Sequence, residues 1–135
     1  GQSAFYGCTA LNSINIPDNV TTIENYAFDK CTSLTYVTLG SGITSIGVDV
    51  FTCNNAKIYC MTTTPPAICV KKDAYNSAYG SFGYPGSRQI YVPSKSYSLY
   101  TQYTSYRSDT TQQSNWALYK DKIIAYDFEN DVIVE

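Results

Sequence analysis

The chain has 135 residues, 44% of them hydrophobic, and a formal net charge of −2. That is one domain, or part of one, with enough apolar residues for a core, and it leaves no basic face for nucleic acid. No apolar run approaches the roughly 20 residues of a membrane span, and the absence of histidine excludes Ser-His-Asp, Cys-His and His-ligated metal chemistry within this chain.

From the N-terminus, "AFYGCTALNSINIPDNVTTI" (4–23) is followed by "AFDKCTSLTYVTLGSGITSI" (27–46) on the same skeleton. Phe5 matches Phe28, Cys8 matches Cys31, Leu11 matches Leu34, Ile14 matches Val37, Ile16 matches Leu39, Val20 matches Ile43 and Ile23 matches Ile46, always 23 residues apart. A repeat of that length points to a solenoid of stacked coils. "SINI" and "YVTL" alternate as half-buried strands do. Val37 and Leu39 therefore face inward, with Tyr36 and Thr38 toward solvent. Pro17-Asp18-Asn19 and Gly40-Ser41-Gly42 are turns at matching positions.

The repeat then decays. Val50-Phe51 keeps the spacing, and "AKIYC" (56–60) takes the place of "LTYVTL", with Ile58 and Cys60 in the Val37 and Leu39 roles. Ile68 stands for Ile46, and Ala74-Tyr75 reads as a degraded Ala-Phe pair. "NSAYGSFGYPGS" reads as a loop, and "QIYVP" (89–93) as a further strand with Ile90 and Val92 inward. Residues 1–93 thus hold two regular and two degenerate coils. Phe5, Phe28 and Phe51 are expected in one buried column, Cys8, Cys31 and Cys53 in a second, and Ile14, Val37, Ile58 and Ile90 in a third.

Residues 94–135 read as a capping region. Pro93-Ser94 is a helix entry, with Tyr97 and Tyr100, or Leu99, Tyr103 and Tyr106, on helical spacing. Trp116, Tyr119 and Ile123 are spaced for a second short helix, "RSDTTQQS" is a loop, and "KIIAYDF" and "DVIV" are strands. Trp116 and the tyrosines would cover the apolar end of the last coil. An independent domain of about forty residues is marginal without disulfides or metal.

The pattern Ala-Phe-x-x-Cys-x-x-Leu-x-x-Ile-x-Ile-Pro-x-x-Val-x-x-Ile resembles the BspA-type, or Treponema-type, leucine-rich repeats of bacterial surface proteins. The C-terminal segments "TPPAI", "IYVP" and "NWALYKDKIIAYDF" are similar to the ends of such proteins from gut Bacteroidetes. The resemblance implies a leucine-rich-repeat solenoid, a right-handed superhelix of short parallel β-strands and loops with a C-terminal cap of short helices and strands. It implies export, display at the cell surface or secretion, and adhesion to a protein or glycan on a host or bacterial surface, without catalysis. It carries over no binding residue. "GQSAF" opens in mid-repeat, so the chain reads as the C-terminal piece of a longer protein. Signal and anchor are expected in the missing part, and self-association through the first, uncovered coil is a further expectation.

Little else in the chain carries chemistry. Cys8, Cys31 and Cys53 at one repeat position suit a packed column of small apolar groups, although stacked coils can bring sulfurs near disulfide range. Cys60 and Cys69 stand off that column, and a pairing across the Thr-Pro-Pro turn stays open. "GSGITSIG" lacks phosphate-loop spacing and reads as the repeat's turn. Asp127, Glu129 and Asp131 at alternate positions form a solvated face or, less simply, oxygen ligands for calcium. Asn19-Val20-Thr21 is a glycosylation sequon that reads as a turn. No cofactor or metal is called for.

The 14 tyrosines are the unusual feature. Tyr36, Tyr59 and Tyr91 each lie beside inward-facing residues, so alternation points them to the solvent face. Tyrosine also simply favours strands. The sharper reading is an aromatic row on a binding face, with Ser13 and Asn15 at one end and Lys57 alongside. The functional reading is a non-catalytic binding or adhesion module. The alternatives are a purely structural stalk or terminal cap and, least supported, a carboxylate-based glycosidase.

Overall fold

The computed structural model describes residues 3–52, 56–86 and 88–134. Three like strands recur along the repeats: β1 (Ser13–Ile16), β3 (Tyr36–Leu39) and, two residues early, β5 (Lys57–Cys60). Each is followed by a second: β2 (Thr22–Ile23), β4 (Ser45–Ile46) and the longer β6 (Ala67–Lys72). β7 (Ala78–Gly80) and β8 (Gln89–Pro93) come next. A 3-10 turn at Ser94–Ser96 leads into α1 (Tyr97–Thr101). β9 (Thr110–Gln112), a 3-10 segment Gln113–Lys122, β10 (Ile123–Asp127) and β11 (Val132–Ile133) complete the described chain.

The strands form two sheets. The larger runs β1-β3-β5-β8-β10-β11, parallel throughout except for β11, which pairs antiparallel with β10. The smaller runs β2-β4-β6-β7, with β9 on β6 as well. Its first three strands are parallel, and β7 and β9 join β6 antiparallel. The described residues are strand-rich, with few in helices, and form no closed barrel.

The register puts like residues side by side. Ile14, Val37, Ile58 and Ile90 are successive partners in the larger sheet, and Ile123 extends their row. Ile23, Ile46 and Ile68 do the same in the smaller one. Stacking such columns removes from water apolar area that no single 23-residue unit can bury alone. Phe5, Phe28 and Phe51 stack face to face at 5.1 and 5.3 Å between centroids. The column is buried from Phe28 onward. Phe5 has no ring on its outer side and is 47% exposed.

Polar side chains bind each repeat to the next. Asn15 accepts from Thr38 Oγ1, Asp18 from the Ser41 N–H, Asn25 from the Val48 N–H and Asp29 from Thr52 Oγ1, all 23 residues apart and within 2.9 Å. Two of these bonds satisfy turn N–H groups, those of Ser41 and Val48, that no strand ladder reaches. Gly42 sits so close to the preceding turn that a side chain there would strike the Asp18 carbonyl oxygen.

Several expectations need correction. Tyr75 is no core ring: it is 90% exposed. Phe82, inside the segment read as a loop, takes the next place in the phenylalanine column, 6.3 Å from Phe51. That segment also contains β7, because the β6 edge left free beyond β4 binds it. β9 likewise lies inside a predicted loop. α1 ends at Thr101, so Tyr103 and Tyr106 are outside it, and Ile123 belongs to β10 rather than to a helix. Within residues 94–135, β10 adds the fifth parallel strand of the larger sheet.

Cys8 and Cys31 are free thiols, and Cys31 Sγ donates to the Phe5 carbonyl at 3.1 Å. Cys53 lies outside the described residues. Cys60 and Cys69 are free and buried and make no bridge. Cys60 points into the core beside Thr62 and Tyr100, while the Cys69 N–H is held by Ser81 Oγ.

The aromatic end is tightly satisfied. Trp116, Tyr119 and Tyr100 are fully buried around Phe82 and one another. The Trp116 Nε1–H donates to the Pro66 carbonyl at 2.8 Å, Tyr119 OH to Gly83 at 2.5 Å and Tyr100 OH to Thr62 at 2.7 Å. Asn115, also fully buried, spans the Ile68 and Thr110 carbonyls and accepts from the Arg107 N–H. Each buried polar tip thus has a backbone partner, as buried polar groups require.

Candidate functional site

The outer face of the larger sheet is set by alternation. Inward Val37 and Leu39, Ile58 and Cys60, Ile90 and Val92 leave Tyr36 and Thr38, Lys57 and Tyr59, Gln89 and Tyr91 outside. The pairing divides these into two rows. Ser13, Tyr36, Lys57 and Gln89 form one, and Asn15, Thr38, Tyr59 and Tyr91 the other. The three tyrosines are therefore not in one register row: Tyr36 is two residues out of step with Tyr59.

The rings still meet. Tyr36 leans diagonally across the pleat to lie 4.9 Å from Tyr59, tilted by 33°, a reach open to long aromatic side chains on neighbouring strands. Tyr59 and Tyr91 are direct partners and stack at 4.4 Å with 9° between planes. Both faces of Tyr59 are thus taken, one by Tyr36 and one by Tyr91.

Sequence reasoning did not place two further rings here. Tyr126 pairs in register with Pro93 and so shares the outer face. It meets Tyr59 edge-on at 5.3 Å and Tyr91 at 5.5 Å. Phe128, in the turn after β10, packs edge-on against Tyr126 at 5.0 Å and Tyr59 at 6.4 Å. The signal was present in "AYDF", where Tyr126 alternates with inward Ala125, but it needed the β8–β10 pairing to be read.

This cover changes the accessibility of the strip. Tyr91, expected at the surface, is 4% exposed, whereas Tyr36 is 46% exposed and Tyr59 is half-buried. Burial pushes up the Tyr59 and Tyr91 hydroxyl pKa values, and the neighbouring tyrosines add to the effect at Tyr59. Both phenols therefore stay neutral in ordinary buffers. Ser13, Asn15 and Lys57 are exposed around the open end. The accessible part of the face is Ser13, Asn15, Tyr36, Lys57 and part of Tyr59.

The acidic residues at and after the end of β10 do not share a strand face. Asp127 accepts from the Glu129 and Asn130 N–H groups and from the Asn130 side chain, closing the turn. Those bonds, the Asn130 side chain first, hold its carboxyl below the usual range. Tyr126 OH donates to Asp131. Among the described residues no group of three or more Cys, Asp or Glu side chains is arranged to hold a metal ion.

A separate cleft of about 330 Å³ lies on the phenylalanine side, lined by Asp29, Lys30, Asp49, Thr52, Tyr84 and Arg88 among others. Partial burial, then the like charge of Asp29, raise Asp49 to about 6 against the pull of Lys30. Arg88, 4% exposed, donates to the Phe82 carbonyl at 2.5 Å and the Thr52 carbonyl at 2.8 Å, tying this loop to the repeats.

A family model described as a BspA-type leucine-rich repeat region of six copies matches residues 1–78, more than half of the chain. The chain belongs to the BspA-type leucine-rich-repeat family. No curated protein and no solved structure matches it. A leucine-rich-repeat domain is a protein-binding kind of module, and the BspA-type family is typically non-enzymatic and generally found at the surface or secreted. Among the described residues no helix is long and apolar enough to cross a membrane. The matched repeats supply Tyr36 and Tyr59. Tyr91, Tyr126 and Phe128 come from the chain beyond the match.

Proposed function

We propose that this chain is a non-catalytic recognition module of an exported protein. Its repeats, residues 1–93, stack as a leucine-rich-repeat solenoid that residues 94–135 close. The module adheres to a protein or glycan displayed on a host or bacterial surface. The observation that carries the reading is the continuous aromatic strip on the outer face of the larger sheet, left open at Tyr36 and flanked by Ser13, Asn15 and Lys57. Repeat proteins present such faces as extended binding surfaces. Tyrosine adds large rigid contact area at low conformational cost. A surface or secreted location is supported by the family, which is generally found there.

The burial of Tyr91 favours a second reading, in which the rings only shield the sheet and the chain is a stalk or terminal cap. One experiment separates the two. Wild type and the Tyr36→Ser/Tyr59→Ser variant, matched for near-UV circular dichroism, are compared on immobilised extracellular-matrix proteins and on a glycan array. The recognition module loses at least about tenfold in affinity, the scale of a buried aromatic hot spot. Unaltered binding, or no binding by wild type, overturns it in favour of the stalk.

A further inference from the structure

The strip does not stop at Tyr91. Beyond it, at the C-terminal ends of β5 and β8, lies a cavity of about 300 Å³. Its apolar walls are Met61, Pro93, Tyr126 and Phe128, and Met61 is 38% exposed. It is continuous with the strip through Tyr126 and Phe128, which touch Tyr59.

Two features select the occupant. The first is ring orientation. A sugar stacks on an open aromatic face; the open ring is Tyr36, which does not line the cavity, whereas Tyr36 and Tyr91 flank Tyr59, and Tyr126 and Phe128 stand edge-on to it. Ring edges, hydroxyls and an apolar cavity suit side chains of a polypeptide better. The second is charge. Lys95, Asp127 and Glu129 line the cavity rim. Asp127 is engaged by Asn130 and feels the charge of Lys95. Glu129 is exposed, and among the described residues no hydrogen bond or ion pair engages its carboxylate. The rim is therefore net acidic beside an apolar hole.

We infer that the cavity between Met61, Pro93, Tyr126 and Phe128 anchors an extended protein segment through an aliphatic or aromatic side chain, with a lysine or arginine next to that anchor meeting Glu129. This rests on the strip reading above and names the class of its partner. The strip takes the rest of the segment, and the cavity sets which segment is chosen.

The test uses the full 135-residue chain, fluorescently labelled, on an array of random ten-residue peptides and in parallel on a glycan array. Retained peptides carry a large apolar residue with Lys or Arg within two positions. Met61→Asp weakens them at least tenfold. Glu129→Lys switches the preferred neighbour from basic to acidic, a change of specificity that a merely structural role would not produce. Both positions are exposed, and near-UV circular dichroism confirms the fold. Retention of glycans alone, of no peptide, or of peptides without an apolar anchor overturns the inference. If Tyr36→Ser weakens peptide binding while Met61→Asp and Glu129→Lys do not, the cavity is wrong and the strip stands. If none of the three has an effect, both fall.

Discussion

Asp49 carries the clearest single-residue consequence. Its carboxyl is raised from 3.8 to about 6, by partial burial first and then by Asp29, with Lys30 opposing. The folded chain therefore binds this proton more tightly than the unfolded chain. Stability from this group is present at low pH and is lost as pH rises from about 4 to about 6. Asp73 and Asp127 are lowered instead, so their contribution disappears only below the usual aspartate range. The two effects occupy separate windows. Asp49→Asn should raise the melting temperature at pH 7.5 and flatten its pH dependence between 4 and 7, with little change at pH 4. Asparagine tolerates the positive φ of 51° at this position. Thermal melts across that range check it, and an unchanged slope would mean that Asp49 titrates normally. The buried thiols behave differently. Desolvation is the main cause that raises both Cys31 and Cys60, so neither is a ready nucleophile.

Among the elements, the phenylalanine column tests how the repeats hold together. Phe28 has a ring on each side and is 3% exposed, whereas Phe5 has one ring neighbour and is 47% exposed. Phe28→Ala should cost about 3–5 kcal/mol, because it opens a cavity between two stacked rings. Phe5→Ala should cost about 1 kcal/mol, roughly the value of one aromatic contact. Urea titration of both variants measures the difference, and equal costs would contradict the column. The same logic orders the strands. β1 has a strand on one side only and an exposure pattern with a single buried residue, while β3 lies between β1 and β5 with two buried residues. Amide hydrogen exchange in the 135-residue chain should therefore be faster at Ser13–Ile16 than at Tyr36–Leu39. Equal protection would show that another surface covers β1.

For the molecule as a whole, the two sheets share one core that runs from Ile16 and Ile23 to Trp116, Tyr119 and Ile123. The later part of the chain is integral to it. β10 continues the parallel ladder begun by β1, and Trp116 and Tyr119 pack on Phe82 at the end of the phenylalanine column. The candidate binding face depends on that continuity, since Tyr126 and Phe128 bury one end of the strip that Tyr36 leaves open.

The sequence alone determined the repeat, its inward columns and its turns. The 23-residue spacing pairs Ile14 with Val37 and stacks Phe5, Phe28 and Phe51, and inward alternation extends the first row to Ile58 and Ile90 across units of other lengths. Periodicity is legible because stacking demands the same residue type at the same place in each unit. Two things lay beyond it: Phe82 as the next ring in place of Tyr75, and the burial of Tyr91. Each depends on contacts between segments far apart in the chain. Phe82 is positioned by β7 pairing with β6 and by the Tyr119 hydroxyl, which accepts its N–H. Tyr91 is covered by a ring from β10. The offset between Tyr36 and Tyr59, by contrast, is legible in the sequence, because Ile58 and Cys60 in the Val37 and Leu39 places set Lys57 opposite Tyr36. Alternation gives the face a side chain takes, but cover on that face comes from whichever distant segment packs there, and only the folded chain decides which one does.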